Sequence, residues 1–169
     1  MKKCLLLVDV QKGFISADTA HVLPKINALL KANLFDYTVA TQFINVEDSP
    51  FQRFLHWSQL MRAPETDVCK CVAEASELVL QKSTYTAVND ELLAFIKENS
   101  IDEVYVAGID TDCCVLKTAA DLFENNIKSC VLEKYSASGG GKKSHDAALL
   151  VLSRMIGSDF IIRKELHET

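Results

Sequence analysis

Three side chains of complementary chemistry stand far apart in this 169-residue chain: Asp9, Lys82 and Cys114. Each ends or follows an apolar run. Asp9 lies in the run at residues 4–10, Lys82 directly follows the run at 78–81, and Cys114 comes a short polar turn after the run at 104–107. A thiol becomes a strong nucleophile once it loses its proton. A carboxylate can accept that proton, an ammonium can stabilise the thiolate, and the free N–H groups of a helix start add to both. Backbone N–H groups of the turn before Cys114 could bind a developing oxyanion. The chemistry open to such a set is acyl transfer, with sulfur attacking a carbonyl carbon. Two plainer readings stand beside it: Asp9 as a cap of the turn running through Gly13, and Cys114 as ordinary helix core.

For the three residues to meet, their runs must be strands of one sheet. Residues 4–10 and 104–107 are apolar almost throughout, which suits strands buried on both faces of a parallel sheet. Further strands read at 37–42, 78–81, 128–132 and 160–162. Helices read at 24–33 (Pro24 in its first turn), 89–99, 114–124 and 144–156. Gly108 breaks its strand at a sharp turn, Thr111 and Asp112 supply N-cap chemistry for the helix holding Cys114, and Ser144 caps the last helix. Residues 136–143 read as a Gly/Ser loop. Residues 43–66 are irregular, with Phe51, Phe54, Leu55, Trp57, Leu60 and Met61 at roughly helical spacing. That stretch reads equally as a helix over a pocket or as an oligomer contact.

Strands alternating with helices predict an α/β fold, three layers deep, with a mostly parallel six-stranded sheet and right-handed crossovers. One domain spans 1–169 on this reading. All strand C-termini of a parallel sheet lie on one edge, where such folds bind ligands. Asp9, Lys82 and Cys114 are therefore expected to converge there.

Composition bounds the rest. Hydrophobic residues make up 49% and charged residues 24%, an ordinary balance for a globular protein. A net charge of −5 without a basic patch argues against a nucleic-acid partner. No apolar stretch is long enough for a membrane span, and no signal peptide is visible. Six cysteines in such a chain read as reduced thiols of a cytoplasmic protein. Cys69-Lys-Cys71 with Cys113-Cys114 does not match the spacing of closed zinc sites, and residues 138–144 do not satisfy the phosphate-loop pattern. His21, His56, His145 and His167 fall in loops, a helix start or the tail, and none follows a strand.

Three motifs carry a family resemblance: Asp-Val-Gln-x-x-Phe (Asp9, Val10, Gln11, Phe14), Lys82 with Tyr85, and Gly-x-x-Thr-Asp-x-Cys-Val-x-x-Thr-Ala-x-Asp (Gly108 to Asp121). Together they resemble the isochorismatase-like cysteine hydrolases, which include nicotinamidases, N-carbamoyl amide hydrolases and isochorismatases. The resemblance implies Asp9 as general base, Lys82 as its electrostatic partner and Cys114 as nucleophile. It also implies a non-proline cis peptide at Ile109–Asp110, aiming the N–H groups of Asp110 and Cys114 at an oxyanion. Gln11, Phe14 and Tyr85 belong to the same motifs and are candidates for the substrate pocket. The implied reaction cleaves a C–N bond of a small amide or carbamoyl compound through a thioester, and a homo-oligomer is expected. Isochorismatases proper lack the cysteine, so vinyl-ether hydrolysis is disfavoured.

One departure separates the chain from nicotinamidases, which carry an Asp-x-His metal motif after the second strand. Here that stretch is Thr41-Gln42-Phe43-Ile44-Asn45, and His56 is the lone histidine nearby. No metal and no other cofactor is therefore expected. The competing reading, prompted by Cys113-Cys114 and the Cys-x-Cys pair, is a non-catalytic or thiol-redox protein with the same fold.

Overall fold

The run of apolar residues near the start becomes the middle of a sheet. The computed structural model describes residues 1–166, so His167 lies outside the described residues. Its strands are β1 (Lys3–Val8), β2 (Tyr37–Phe43), β3 (Leu78–Lys82), β4 (Glu103–Ile109), β5 (Lys128–Ala137) and β6 (Ile161–Ile162). The spatial order is β3-β2-β1-β4-β5-β6, and each described pairing is parallel. Helices α1 (Val22–Lys31), α2 (Pro50–Leu55), α3 (Lys70–Ala75), α4 (Asp90–Glu98), α5 (Leu116–Glu124) and α6 (Gly141–Met155) fill the connections.

Alternation along β1 builds two cores at once. Cys4, Leu6 and Val8 pack with Leu92 and Ile96 of α4, Ala119 and Leu122 of α5, and Leu149 and Leu152 of α6. Leu5 and Leu7 point the other way, into Val22, Ile26 and Leu29 of α1 and Val72 of α3. Leu5, Leu6 and Leu7 are fully buried, each contributing roughly 1.5–3 kcal/mol. The result is the expected three-layer α/β/α arrangement. None of the helices described is long and apolar enough to cross a membrane.

The chain lays down β2 and β3 on one side of β1, then crosses through α4 to place β4 on the other. The crevice at the ends of β1 and β4 is thus the switch point where open α/β sheets bind ligands.

Several boundaries differ from the sequence reading. β1 stops at Val8, because Asp9 adopts a left-handed backbone with φ of 51°. Gly108 does not end its strand: β4 continues to Ile109, with φ of 127° at Gly108 and a register shift against β5 between Val106 and Gly108. A Cβ at Gly108 would lie 2.1 Å from the Val8 carbonyl oxygen, so only glycine allows β1 and β4 to approach here. β5 resumes pairing as Gly108 with Ser136 and Ile109 with Ala137, which turns the first two residues of the expected Gly/Ser loop into strand. α6 then starts at Gly141, and Ser144 lies inside it instead of capping it. Thr111 and Asp112 are not caps either. They belong to a π-helical turn, Thr111–Val115, which places Cys114 just ahead of α5.

The irregular stretch after β2 contains one short helix. Pro50 opens α2, Ser49 Oγ accepts the Gln52 N–H at 3.2 Å, and His56 closes it in a left-handed conformation. The apolar spacing continues to Met61, but the helix does not. α3, of only six residues, follows Cys69 in a stretch where the sequence reading places no element.

Candidate active site

Asp9 leaves the end of β1, Lys82 is the last residue of β3, and Cys114 lies in the turn after β4. β2 separates Lys82 from Asp9, a span of two strand spacings or about 10 Å. The lysine stem bridges it by crossing Phe43, its register partner on β2, with Nζ 5.2 Å from the ring centre. Lys82 Nζ donates to Asp9 Oδ2 at 2.7 Å, to Thr84 O at 2.8 Å and to Tyr85 O at 3.2 Å. All three ammonium donors are therefore spent. The side chains are 4% and 0% exposed, so this is a buried ion pair, whose loss on one side costs far more than that of a surface pair.

The second carboxylate oxygen of Asp9 is held by a residue the sequence did not single out. Thr41 Oγ1 donates to Asp9 Oδ1 at 2.5 Å and accepts the Asp9 N–H at 2.9 Å. This hydroxyl fixes both the side chain and the turn of its backbone. The available signal was positional: Thr41 is a polar residue near the C-terminal end of the strand beside β1.

Cys114 completes the group. Its thiol is pushed well above the usual cysteine range, first by burial and then by the charge of Asp9, with Lys82 pulling the other way. The resting sulfur is therefore a neutral thiol facing a carboxylate. A helix start by itself favours the thiolate; here desolvation and the nearby anion push the other way. Cys113 is pushed to about 11, mainly by burial.

The peptide Ile109–Asp110 is cis. The N–H groups of Cys113 and Val115 both donate to the Asp110 carbonyl, whereas that of Cys114 does not share this acceptor. Asp110 Oδ1 accepts the Gly139 N–H at 2.6 Å, tying the turn to the β5–α6 loop.

A cavity of about 150 Å³ opens over the sulfur. Cys113, Cys114 and Asp110 border it, with Phe14, Phe43, Phe51, Leu55, Trp57 and Tyr85 as walls. The rings brace one another: Phe14 stacks on Trp57 at 6.2 Å, and Phe51 meets Phe43 and Tyr85 edge-on at 5.1 and 5.0 Å. α2 thus supplies Phe51 and Leu55 to the cavity wall while Phe54 faces outward.

Of the pocket candidates, Phe14 and Tyr85 line this cavity and Gln11 does not. Gln11 is fully buried, its Nε2 donating to Phe43 O and Thr66 O and its Oε1 accepting the Phe43 N–H. With every polar atom engaged, it acts as a peg between β2 and the following loop. A larger polar depression of about 410 Å³, between α1 and the start of α6, contains none of Asp9, Lys82 and Cys114.

The stretch where nicotinamidases carry metal ligands has a different construction here. Phe43 places a ring in the cavity wall. Asn45 Nδ2 donates to Trp57 O and Gln59 O, and its Oδ1 accepts from Ser49 Oγ. An aromatic ring and a fully engaged amide do not form a divalent-cation site. Among the described residues, no three or more His, Cys, Asp or Glu side chains are grouped to hold a metal. Cys69 and Cys71 pack on the opposite face of the sheet from Cys114. Among the described histidines, only His145 has a distinctive partner, with Nδ1 2.8 Å from Thr111 Oγ1.

Residues 3–158 match the sequence model of the isochorismatase domain. A curated relative, the uncharacterized isochorismatase family protein PncA of Bacillus subtilis (strain 168), is 29% identical over 86 residues, covering 50% of this chain and 46% of that protein. The matched part thus spans about half the length of that relative. In three dimensions the chain is similar to nicotinamidase PncA from Bacillus subtilis, at 22% identity and a TM-score of 0.82, covering 97% of this chain and all of the other. It is also similar to N-carbamoylsarcosine amidase from Thermoplasma acidophilum, at 23% identity and a TM-score of 0.77, covering 90% and 94%.

Proposed function

The chain belongs to the isochorismatase family, and from that premise we propose that it is a metal-independent cysteine hydrolase that cleaves the C–N bond of a small amide or carbamoyl compound. The observation that carries this reading is the meeting of Asp9, Lys82 and Cys114 beside one aromatic-walled cavity that Cys114 lines.

Asp9 takes the Cys114 proton as the sulfur attacks the carbonyl carbon, so no free thiolate accumulates beforehand. The raised thiol supports this order, because the sulfur keeps its proton until attack on the carbonyl carbon lowers its basicity. Lys82 and Thr41 hold the carboxylate in position and keep its charge compensated. The N–H groups of Asp110 and Cys114 receive the oxyanion. Collapse breaks the C–N bond, and the proton on Asp9 passes to the departing nitrogen, releasing ammonia or an amine and leaving a thioester on Cys114. Water, losing a proton to Asp9, then cleaves the thioester to the acid and the free thiol. The relatives described as nicotinamidase and N-carbamoylsarcosine amidase act on bonds of this class, which lends the reading support without naming a substrate. Burial pushes up the thiols of Cys113 and Cys114, which works against thiol–disulfide exchange as the alternative role.

The test is release of ammonia or amine from a panel of small amides and N-carbamoyl compounds, by the natural chain and by Cys114→Ala. Turnover by the former and none by a folded Cys114→Ala is expected. Undiminished turnover in the variant would refute the assignment.

A further inference from the structure

The cavity has a selectivity that acyl transfer by itself does not require. Among the described residues, the charged groups at or beside it are Asp9, Lys82 and Asp110, and no arginine lines it. Lys82 has no donor left, since its three protons go to Asp9, Thr84 O and Tyr85 O. A substrate carboxylate entering here would find no side-chain cation to pair with.

Negative potential, by contrast, is in surplus. Asp110 borders the cavity with one oxygen on the Gly139 N–H, while its Oδ2 receives no hydrogen bond from a described residue. Burial first, and then the charges of Asp112 and Asp9, push the Asp110 carboxyl above its ordinary range against the pull of the Gly139 N–H, so a cation beside it would be favoured. Asp112 Oδ1 is itself buried without a hydrogen-bond partner among the described residues. Five aromatic rings then present π faces and edges around the same space, and the faces are electron-rich. Aromatic walls with a carboxylate and no available cation form a recognition site for positive charge.

Resting on the amide-hydrolase reading above, we propose that the cavity selects amides whose far end, away from the scissile C–N bond, carries a positively charged amine, with Asp110 Oδ2 and the aromatic walls as the specificity-determining groups. A cavity of about 150 Å³ has room for a single ring with a short substituent. Amides bearing a free carboxylate at that end are rejected. Asp110 thereby serves twice: its backbone N–H faces the reacting carbonyl, and its side chain reads the far end of the same molecule.

The experiment compares three probes of similar size, benzamide, 3-(aminomethyl)benzamide and 3-carboxybenzamide, binding to the Cys114→Ser protein by calorimetry. The aminomethyl probe is expected to bind at least about tenfold tighter than the carboxy probe, with benzamide between. Asp110→Asn, whose amide oxygen can still accept from Gly139, is expected to remove most of that preference. Asp110→Ser, which also removes the charge, serves if the asparagine protein does not fold. Equal binding, the reverse order, no binding of any probe, or a preference indifferent to loss of the Asp110 charge would each overturn the proposal. Failure here and failure of the hydrolase reading are separable. Amide turnover without charge preference sinks only this inference, whereas charge-selective binding with no turnover across the amide panel sinks only the catalytic one.

Discussion

Asp9→Asn separates the two things that Asp9 does to the sulfur. As a base, Asp9 removes the Cys114 proton during attack. A positioned general base contributes about 10²–10⁴ in rate, so kcat/KM should fall by that factor, equivalent to ~2.7–5.4 kcal/mol of barrier at about 1.36 kcal/mol per decade. As a charge, Asp9 does the opposite to the resting thiol. It is the second cause, after burial, of the raised Cys114 titration, and Lys82 opposes it. Removing the carboxylate while keeping Lys82 should move that titration down, populating more thiolate at neutral pH. Alkylation of Cys114 by iodoacetamide, followed by peptide mass spectrometry across the neutral and alkaline range, should therefore speed up as turnover collapses. The variant also leaves the buried Lys82 ammonium without its counter-charge, for which the structure predicts ~3–5 kcal/mol of lost stability. Alkylation must accordingly be read at a temperature where circular dichroism shows the fold intact. An alkylation profile that stays in place or moves to higher pH would mean that Asp9 does not face the sulfur. Retained turnover would mean that it is not the base.

Thr41→Val keeps the shape but removes the 2.5 Å bond to Asp9 Oδ1 and the acceptor of the Asp9 N–H. A loss of about 1.5–3 kcal/mol in urea unfolding, with a drop in kcat/KM, is expected; kinetics equal to the natural chain would remove Thr41 from the site. Gly108→Ala puts a methyl 2.1 Å from the Val8 carbonyl oxygen at a φ of 127°. It should cost more than ~4 kcal/mol or prevent folding, and a thermal midpoint within a few degrees of the parent would contradict the tight β1–β4 approach. Burial raises Cys4 from 9.0 to about 12 and Cys113 from 9.0 to about 11, so the folded chain keeps protons that the unfolded chain releases. Their contribution to stability is complete below pH 9 and fades as pH rises toward 11–12, which urea midpoints on either side of pH 9 would register. Midpoints independent of alkaline pH would refute it.

The strands, the three layers and the trio of Asp9, Lys82 and Cys114 were legible in the order of residues, because apolar runs of strand length and turn residues are local signals. A parallel sheet gathers strand ends at one edge whatever lies between them, so three distant side chains could be placed together before any contact was known. Motif resemblance also pointed to the cis bond at Ile109–Asp110. What escaped reading depended on lateral neighbours. Thr41 matters because register sets it beside Asp9, and Ser136 and Ala137 become strand because Gly108 and Ile109 lie alongside to pair with them. Gln11 carries a motif signature yet spends its amide on the loop after β2, since a fully buried amide must satisfy all its bonds. The protonation of Cys114 also reversed between the two levels. A helix start by itself favours thiolate, whereas burial against Asp9 restores the thiol. Local pattern determined which groups are available and along which edge, while packing decided what each of them touches, how dry its surroundings are and where its proton rests.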